Sequence, residues 1–409
     1  MHSARRDLGE ADRPGADAPP ADGPRRPRSA IWLVLAGAAG IGGSFLAATV
    51  VAGFAALAYA QGGADAALAP GIQAISLGAI GVMGLPLLYW ATRGSRQPGS
   101  HVHWTMAVFG AALFVGGLLL GSVAFSRGVL PWVLGPLAHL MAASGPVVFT
   151  AYLALRRGPI LTNRRGWSHF LAGLWAAPPI AFVLEMLTLV PAAILVFLGL
   201  AVSENGLAVL QAMAAADLAS EAGVTRLLSD LIKEPIVIGV AVAFLAAAVP
   251  LIEESVKSVS IWPLISRRPP VSQAFVGGAL CGSGYALFES LLLAQPGQNW
   301  IPSMIARAGT PLIHAFGAGL VSWGVIEAVV NRRPIRMVGL YLAAAAIHGL
   351  WNFTALAVGL SGFSVEVGAG LVSPAVAGLV GSSGLFVLLG LSAGALVGLV
   401  GLPSWLGRR

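Results

Sequence analysis

The sequence predicts an all-α protein, a polytopic bundle of about ten transmembrane helices. Its 409 residues are 57% hydrophobic and only 10% charged, whereas a soluble domain carries about 25% charged residues. Apolar stretches long enough to cross a bilayer recur along most of the chain. These observations exclude a soluble protein with one anchor. The net charge of +7 comes largely from arginines in loops and tails, which topology explains better than nucleic-acid binding.

The order of segments predicts five regions. Residues 1–29 are rich in Pro, Arg, Asp and Ala and are expected to form a disordered cytoplasmic tail. N-terminal transmembrane helices occupy 30–202, and an extracytoplasmic amphipathic loop occupies 203–234. A core that carries most of the intramembrane polar residues occupies 235–360, and 361–409 supplies a last helix and tail. The ten predicted spans are about 30–60, 72–92, 103–125, 129–154, 168–202, 235–264, 272–294, 303–329, 335–360 and 375–402.

Arginines indicate the orientation of these spans. They cluster in alternate connections and at both ends, and cytoplasmic segments carry such an excess. Both termini are therefore expected in the cytoplasm. The preference for Arg, Gly and Ala is typical of a high-GC bacterial genome, so the predicted location is a bacterial plasma membrane. Only two of the 24 basic residues are lysines, Lys233 and Lys257.

Two adjacent glutamates, Glu253 and Glu254, interrupt a long apolar run, and Lys257 follows one helical turn later. A charge in hydrocarbon costs at least about 2.5 kcal/mol, so such residues persist mainly for function. Glu253 and Lys257 share a helix face because they are four residues apart. A compact ammonium fits a tight site in which a guanidinium has less room.

The next three spans each carry polar residues at similar depth: Glu289, His314, and His348 with Asn352. At 1.5 Å per residue, Glu253 and the first three of these lie about 15–27 Å from their cytoplasmic ends. They are therefore expected to meet near the middle of the bilayer, as the groups of an active site must.

The residue types suit hydrolysis of a peptide bond. A glutamate in a partly apolar pocket can take a proton from water. Histidine can bind zinc or act as an acid or base. Asn352 can donate to an oxyanion, and Lys257 can hold one glutamate ionised. Activation of water by a metal and activation by a glutamate both remain open.

Four motifs occur in order, each in its own span. They are Glu253-Glu254-x-x-Lys257, Tyr285-x-x-x-Glu289 in a glycine-rich helix, Arg307 seven residues before His314, and His348-x-x-x-Asn352. Together they resemble the motifs of the PrsW family of intramembrane proteases, over about 245–355. The resemblance also implies kinship with CAAX prenyl proteases and bacteriocin-processing enzymes.

The resemblance implies a role for each matched residue. Glu253 and Glu254 are the essential carboxylates, one of them the base, and Glu289 is a third carboxylate. His314 and His348 are metal ligands or acid–base groups, and Lys257 and Asn352 complete the catalytic set. His314, His348 and Glu289 are the candidate ligands of a Zn²⁺ ion, although a metal-free mechanism is equally compatible.

The implied activity is that of an intramembrane endopeptidase. Its expected partners are the lipid bilayer and membrane-anchored substrates similar to anti-sigma factors, with no nucleic acid. Two alternatives are a non-catalytic membrane scaffold and a proton-coupled carrier.

Other intramembrane polar residues lack evident partners in the sequence. Glu185, His139 and Glu327 are expected to be structural. Arg307 lies near the outer end of its span, where it is expected either to extend its side chain towards the interface or to pair with Glu289.

Overall fold

The computed structural model describes residues 27–93, 102–216 and 221–408, and these residues form helices without any strand. The predicted all-α class is therefore confirmed. Most of the predicted N-terminal tail lies outside the described residues, and the first helix begins at Pro27.

Fifteen α-helices make up the described part of the chain. They are α1 Pro27–Val82, α2 Leu85–Arg93, α3 Thr105–Gly121, α4 Pro131–Leu155, α5 Asn163–Leu171, α6 Ala177–Val202, α7 Gly206–Ala215, α8 Glu221–Leu231, α9 Pro235–Ala243, α10 Val249–Val256, α11 Val271–Leu292, α12 Trp300–Ala306, α13 Thr310–Val329, α14 Pro334–Glu366 and α15 Pro374–Leu406. Short π-helical segments are Ser122–Ser126, Ala172–Ala176 and Phe244–Ala248, and 3₁₀ turns are Trp262–Arg267 and Arg307–Gly309.

Within the described residues, nine helical segments are long and apolar enough to cross a membrane. The first of them, Ile31–Thr92, has 62 residues and is not one straight span. Gly63 has a positive φ of 77°, and beyond it the chain runs back, because Gly37 packs against Leu88 and Gly81 against Phe45. This antiparallel pair reconciles the nine segments with the ten predicted spans.

Three predicted boundaries differ from the structure. The sixth span ends at Val256 rather than near 264, and turns with a 3₁₀ segment follow it. The eighth is broken into α12, a 3₁₀ turn at Arg307–Gly309, and α13. The segment 203–234, predicted as one amphipathic loop, contains two short helices, α7 and α8. Hydropathy alone does not detect these breaks because the flanking residues remain apolar.

The centre of the bundle is formed by α11 and α13, which pack closely in antiparallel fashion. A Cβ atom on Gly282 would overlap the carbonyl of His314, and one on Gly278 would overlap the carbonyl of Ala318. Small residues allow backbones to approach this closely in a membrane. The close approach places His314 of α13 beside the glycine-rich middle of α11.

Candidate active site

A distorted stretch of helix positions the two adjacent glutamates. Between α9 and α10 the chain forms a π-helical turn, in which the N–H of Val249 bonds to the carbonyl of Phe244. The next donor in this register would be residue 250, which is a proline without an N–H. The carbonyl of Leu245 is instead satisfied by the side-chain amide of Asn352, at 3.0 Å.

Lys257 lies at the centre of the polar cluster. Its Nζ is 2.8 Å from Glu253 Oε2 and 2.8 Å from Glu254 Oε1, and it also contacts Nδ1 of His314. The same ammonium lies 4.6 Å from the ring centroid of Tyr285. The Lys257 side chain is fully buried. Because a buried charge without partners is costly, this lysine depends on the two carboxylates as much as they depend on it.

Two histidines from different helices meet the glutamates. His348 of α14 places Nδ1 3.0 Å from Glu254 Oε1 and Nε2 3.8 Å from Glu253 Oε2. His314 of α13 places Nδ1 3.8 Å from the same Glu253 oxygen. The two imidazole rings are 4.8 Å apart and nearly perpendicular. Glu253 Oε2 therefore faces one nitrogen of each ring.

A second carboxylate supports His314. Glu289 of α11 places Oε2 3.1 Å from His314 Nε2, and its Oε1 lies 3.1 Å from Nη2 of Arg307. Arg307 reaches this position because the 3₁₀ turn separates α12 from α13. The predicted pairing of Arg307 with Glu289 is thus confirmed.

Comparison of the sequence with models of protein families identifies the family of this chain. A model of the PrsW family of intramembrane metalloproteases matches residues 169–379, slightly more than half of the chain. The chain belongs to the PrsW family of intramembrane metalloproteases. It is therefore a protease that acts within the membrane. Searches of curated proteins and of solved structures found no match.

The PrsW match is wider than the region of the four motifs. It begins at His169, so it includes α6 as well as the helices that bear the motifs, and it continues into α15. The resemblance stated from the motifs covered only about 245–355. The helices on both sides of the motifs therefore belong to the matched family region.

Among the described residues, Glu253, His314 and His348 are the group with metal-binding geometry. One ligand atom from each lies within 4.8 Å of the others. Glu289, which was predicted as the carboxylate ligand, instead lies behind His314 in contact with Nε2. A carboxylate on the far nitrogen of a metal-binding histidine is a common arrangement, and Glu254 has the corresponding position behind His348.

The side chains of Glu253, His314 and His348 could together hold a metal ion, as expected for a family of metalloproteases. Each histidine has one nitrogen towards Glu253 and the other towards a supporting carboxylate. The Lys257 ammonium, however, touches both Glu253 Oε2 and His314 Nδ1. A metal ion bound by these atoms would therefore require the lysine side chain to withdraw.

Six of the seven predicted catalytic residues come together in the structure. They are Glu253, Glu254, Lys257, Glu289, His314 and His348. Asn352, the seventh, donates its amide to Leu245, which lies two helical turns before Glu253. In this position it anchors α14 to the distorted segment.

The three residues expected to be structural divide into two groups. His139 bonds to the Leu291 carbonyl and accepts from Trp300, while Glu327 pairs with Arg336 at 3.0 Å. Glu185 differs from both, because its helix packs against α10, and Ala181, one turn before Glu185, lies in a buried apolar cluster with Val256 and Tyr285. The sequence signal that points to it is its position as the one charged residue of α6.

Proposed function

We propose that this chain hydrolyses peptide bonds of membrane-anchored proteins at the cluster of Glu253, Glu254, His314 and His348. The observation that carries the proposal is the convergence of these side chains from α10, α13 and α14 on one buried centre. Proteins similar to anti-sigma factors are the proposed substrate class, as the PrsW motifs imply. The proposed location is a bacterial plasma membrane with both termini in the cytoplasm, for which the arginine distribution is the support.

Glu253 is the proposed base when no metal is bound. Its Oε2 faces both imidazoles, and its side chain is slightly exposed whereas that of Glu254 is fully buried. The Glu253 carboxylate takes a proton from water while the water oxygen attacks the scissile carbonyl. The proton then passes to the leaving amine, so both charges and atoms balance.

The neighbouring groups keep this carboxylate and the imidazoles in place. Lys257 compensates the negative charge of the glutamate pair, which would otherwise be costly at this depth. Glu254 orients His348 through Nδ1, and Glu289 orients His314 through Nε2. Either histidine can donate a proton to the departing amine or a hydrogen bond to the oxyanion.

Zn²⁺ is the proposed metal if the site binds one. Glu253 Oε2, His314 Nδ1 and His348 Nε2 would hold it, and three such ligands leave a position open. A zinc ion would supply a Lewis acid that polarises the peptide carbonyl and favours ionisation of water. Elemental analysis of the purified protein tests this assignment, with the His314→Ala/His348→Ala double variant as the comparison. About one zinc per chain in the wild type, lost in the double variant, is the expected result for a metal site.

Cleavage in liposomes tests the proposed activity directly. The protein is reconstituted with a tagged single-pass substrate, and fragments are identified by mass spectrometry. Glu254→Ala and His314→Ala are expected to abolish cleavage. Glu234→Gln is the matched control, because Glu234 is also buried but lies at the start of α9, away from the cluster. Full activity in both cluster variants would overturn the proposal.

A further inference from the structure

Glu185 is the one charged residue on α6, a helix with much of its surface exposed. In α6 its neighbours Phe182, Val183 and Leu187 are all exposed. None of the other 25 residues of the 26-residue α6 is charged. A carboxylate in this setting is costly, so its retention requires a function or a partner.

The Glu185 carboxylate lies at the edge of the catalytic cluster. Ala181, one turn earlier on α6, packs in a buried apolar cluster with Val256 and Tyr285, and the Tyr285 ring lies against Lys257. The helix that bears it packs against α10, which carries Glu253. Glu185 therefore lies on the side of the cluster that α6 covers.

The cluster is exposed at Glu289 and Arg307. The side chains of Glu254 and Lys257 are fully buried, whereas that of Glu289 is 33% exposed and that of Arg307 is 19% exposed. The accessible part of the cluster is therefore the pair of Glu289 and Arg307.

Acceptor and donor atoms at this edge lack hydrogen bonds. Oε1 of Glu185 is buried without a hydrogen bond to any described residue, and the same holds for Nε and Nη2 of Arg307 and for Oε2 of Glu289. Arg307 is held in place because its Nη2 forms an ion pair with Glu289. A buried polar atom without a partner is unfavourable, so a ligand that supplies both partners would bind more tightly.

An unwound peptide has the complementary groups. In a transmembrane helix the backbone N–H and C=O groups bond to one another, so the scissile bond becomes accessible only when the helix is locally opened. The opened segment then carries unpaired N–H and C=O groups in a region that contains little water. A carboxylate oxygen can accept from the N–H, and a guanidinium can donate to the C=O.

We infer that Glu185 and Arg307 form a subsite that binds the backbone of an unwound membrane segment beside the scissile bond. Glu185 Oε1 accepts a peptide N–H, and Arg307 Nε donates to a peptide carbonyl. The inference rests on the proposed function for the position of the scissile bond. It assigns Glu185 to substrate binding and not to the proton transfers of the reaction.

Binding in an inactive background tests the subsite without a requirement for cleavage. The background is Glu254→Ala, reconstituted in liposomes. The probes are two fluorescent Leu/Ala-rich single-span peptides, one uninterrupted and one with a central Gly-Pro that opens the helix. We expect the interrupted peptide to bind more tightly than the uninterrupted one.

Three substitutions then locate the contribution of Glu185. Glu185→Leu removes the acceptor and is expected to weaken binding of the interrupted peptide about tenfold, with little change for the uninterrupted one. Glu185→Gln keeps an acceptor oxygen and is expected to retain affinity within about threefold. Thr188→Leu is the matched control on the next turn of α6, because the Thr188 hydroxyl already bonds to carbonyls of its own helix.

In the active protein the same substitution separates binding from chemistry. Glu185→Leu is expected to raise KM about tenfold for the interrupted peptide and to leave kcat nearly unchanged. Equal peptide affinities in Glu185→Leu and in the parent, or equal losses in Glu185→Leu and Thr188→Leu, would overturn the inference. Absence of cleavage by the wild type would instead overturn the proposed function, because the binding comparison does not depend on turnover.

Discussion

The buried helices α11 and α13 and the lipid-facing helix α6 use polar residues in opposite ways. Each span contains an apolar stretch of 18 residues. In the two spans that contain α11 and α13, 83% of that stretch is buried, whereas in the span that contains α6 only 6% is buried. On the buried pair, charged and imidazole groups have several partners each. On α6 the single carboxylate forms no ion pair with any described residue, whereas Glu289 of α11 and Glu327 of α13 each form at least one.

We interpret this difference as a division of roles, in which α11 and α13 hold the catalytic groups and α6 borders the path of the substrate. Close packing through glycines fixes the catalytic groups, since packed side chains hold their positions more precisely than exposed ones. A helix with most of its surface in lipid is free of such contacts, so it can form the boundary that a substrate crosses.

Replacement of the most buried glutamate is expected to have the largest effect on activity. Glu254→Gln removes the charge that pairs with Lys257 and orients His348. We expect cleavage to fall by about 10³-fold, within the range for loss of an acid–base group. The measurement is the initial rate in liposomes beside Glu234→Gln. A rate within threefold of the wild type would contradict a central role for Glu254.

Lys257→Met tests whether the lysine and a metal share one position. The variant leaves the Glu253–Glu254 pair without its cation, which is expected to cost about 3–5 kcal/mol in unfolding free energy. Added zinc is expected to raise its melting temperature in detergent more than that of the wild type. Equal zinc effects on the two proteins would indicate that the ion does not bind between these carboxylates and the histidines.

Gly317→Ala tests the close packing of α13 around the cluster. A Cβ atom here would lie 2.6 Å from Glu254 Oε2, so the carboxylate has to move. We expect an activity loss of about 10- to 100-fold and a destabilisation of about 1–3 kcal/mol. Gly390→Ala on α15 is the control, because a Cβ atom there meets no atom within 4 Å. Similar behaviour of the two variants would argue against the packing explanation.

Asn352→Ala distinguishes anchoring from oxyanion stabilisation. The structure has its amide on the Leu245 carbonyl, so its loss is expected to destabilise the protein by about 1–3 kcal/mol. We expect kcat to fall by only about tenfold, whereas removal of an oxyanion donor costs about 10²–10³-fold. A large fall in kcat with an unchanged melting temperature would assign Asn352 to the reaction itself.

Leu187→Ala is expected to have the smallest effect. Leu187 is 66% exposed on α6, two residues beyond Glu185. Loss of an exposed side chain is expected to change stability by less than about 0.5 kcal/mol. Cleavage and melting temperature are measured beside Glu185→Leu. A loss as large as that of Glu185→Leu would show that α6 acts through its whole lipid surface and not through one carboxylate.

Much of the fold and site follows from the sequence because its signals are local. Length and hydropathy identify the spans, since each must hide its own backbone from lipid. Helical periodicity places Glu253 and Lys257 on one face. The energetic cost of charge in hydrocarbon identifies Glu289, His314 and His348 as functional candidates, and the structure brings all of these side chains together.

Contacts between helices required the tertiary structure. The turn at Gly63, the break that brings Arg307 to Glu289, and the tie between Asn352 and Leu245 are all set by packing. Packing also decides which carboxylate lies beside both histidines. Glu253, and not Glu289, has an oxygen within 4.8 Å of a ligand nitrogen of His314 and of His348.

Hydropathy and the spacing of polar residues specify a membrane bundle with glutamates and histidines at one depth. The packing of the helices places Lys257 between them and brings α6, with Glu185, against α10. Hydropathy and periodicity describe one helix in its solvent, so they do not specify these contacts. Which side chains meet depends on the distance between neighbouring helices. That distance is short where a glycine of one helix faces the backbone of another, as Gly282 of α11 faces the carbonyl of His314.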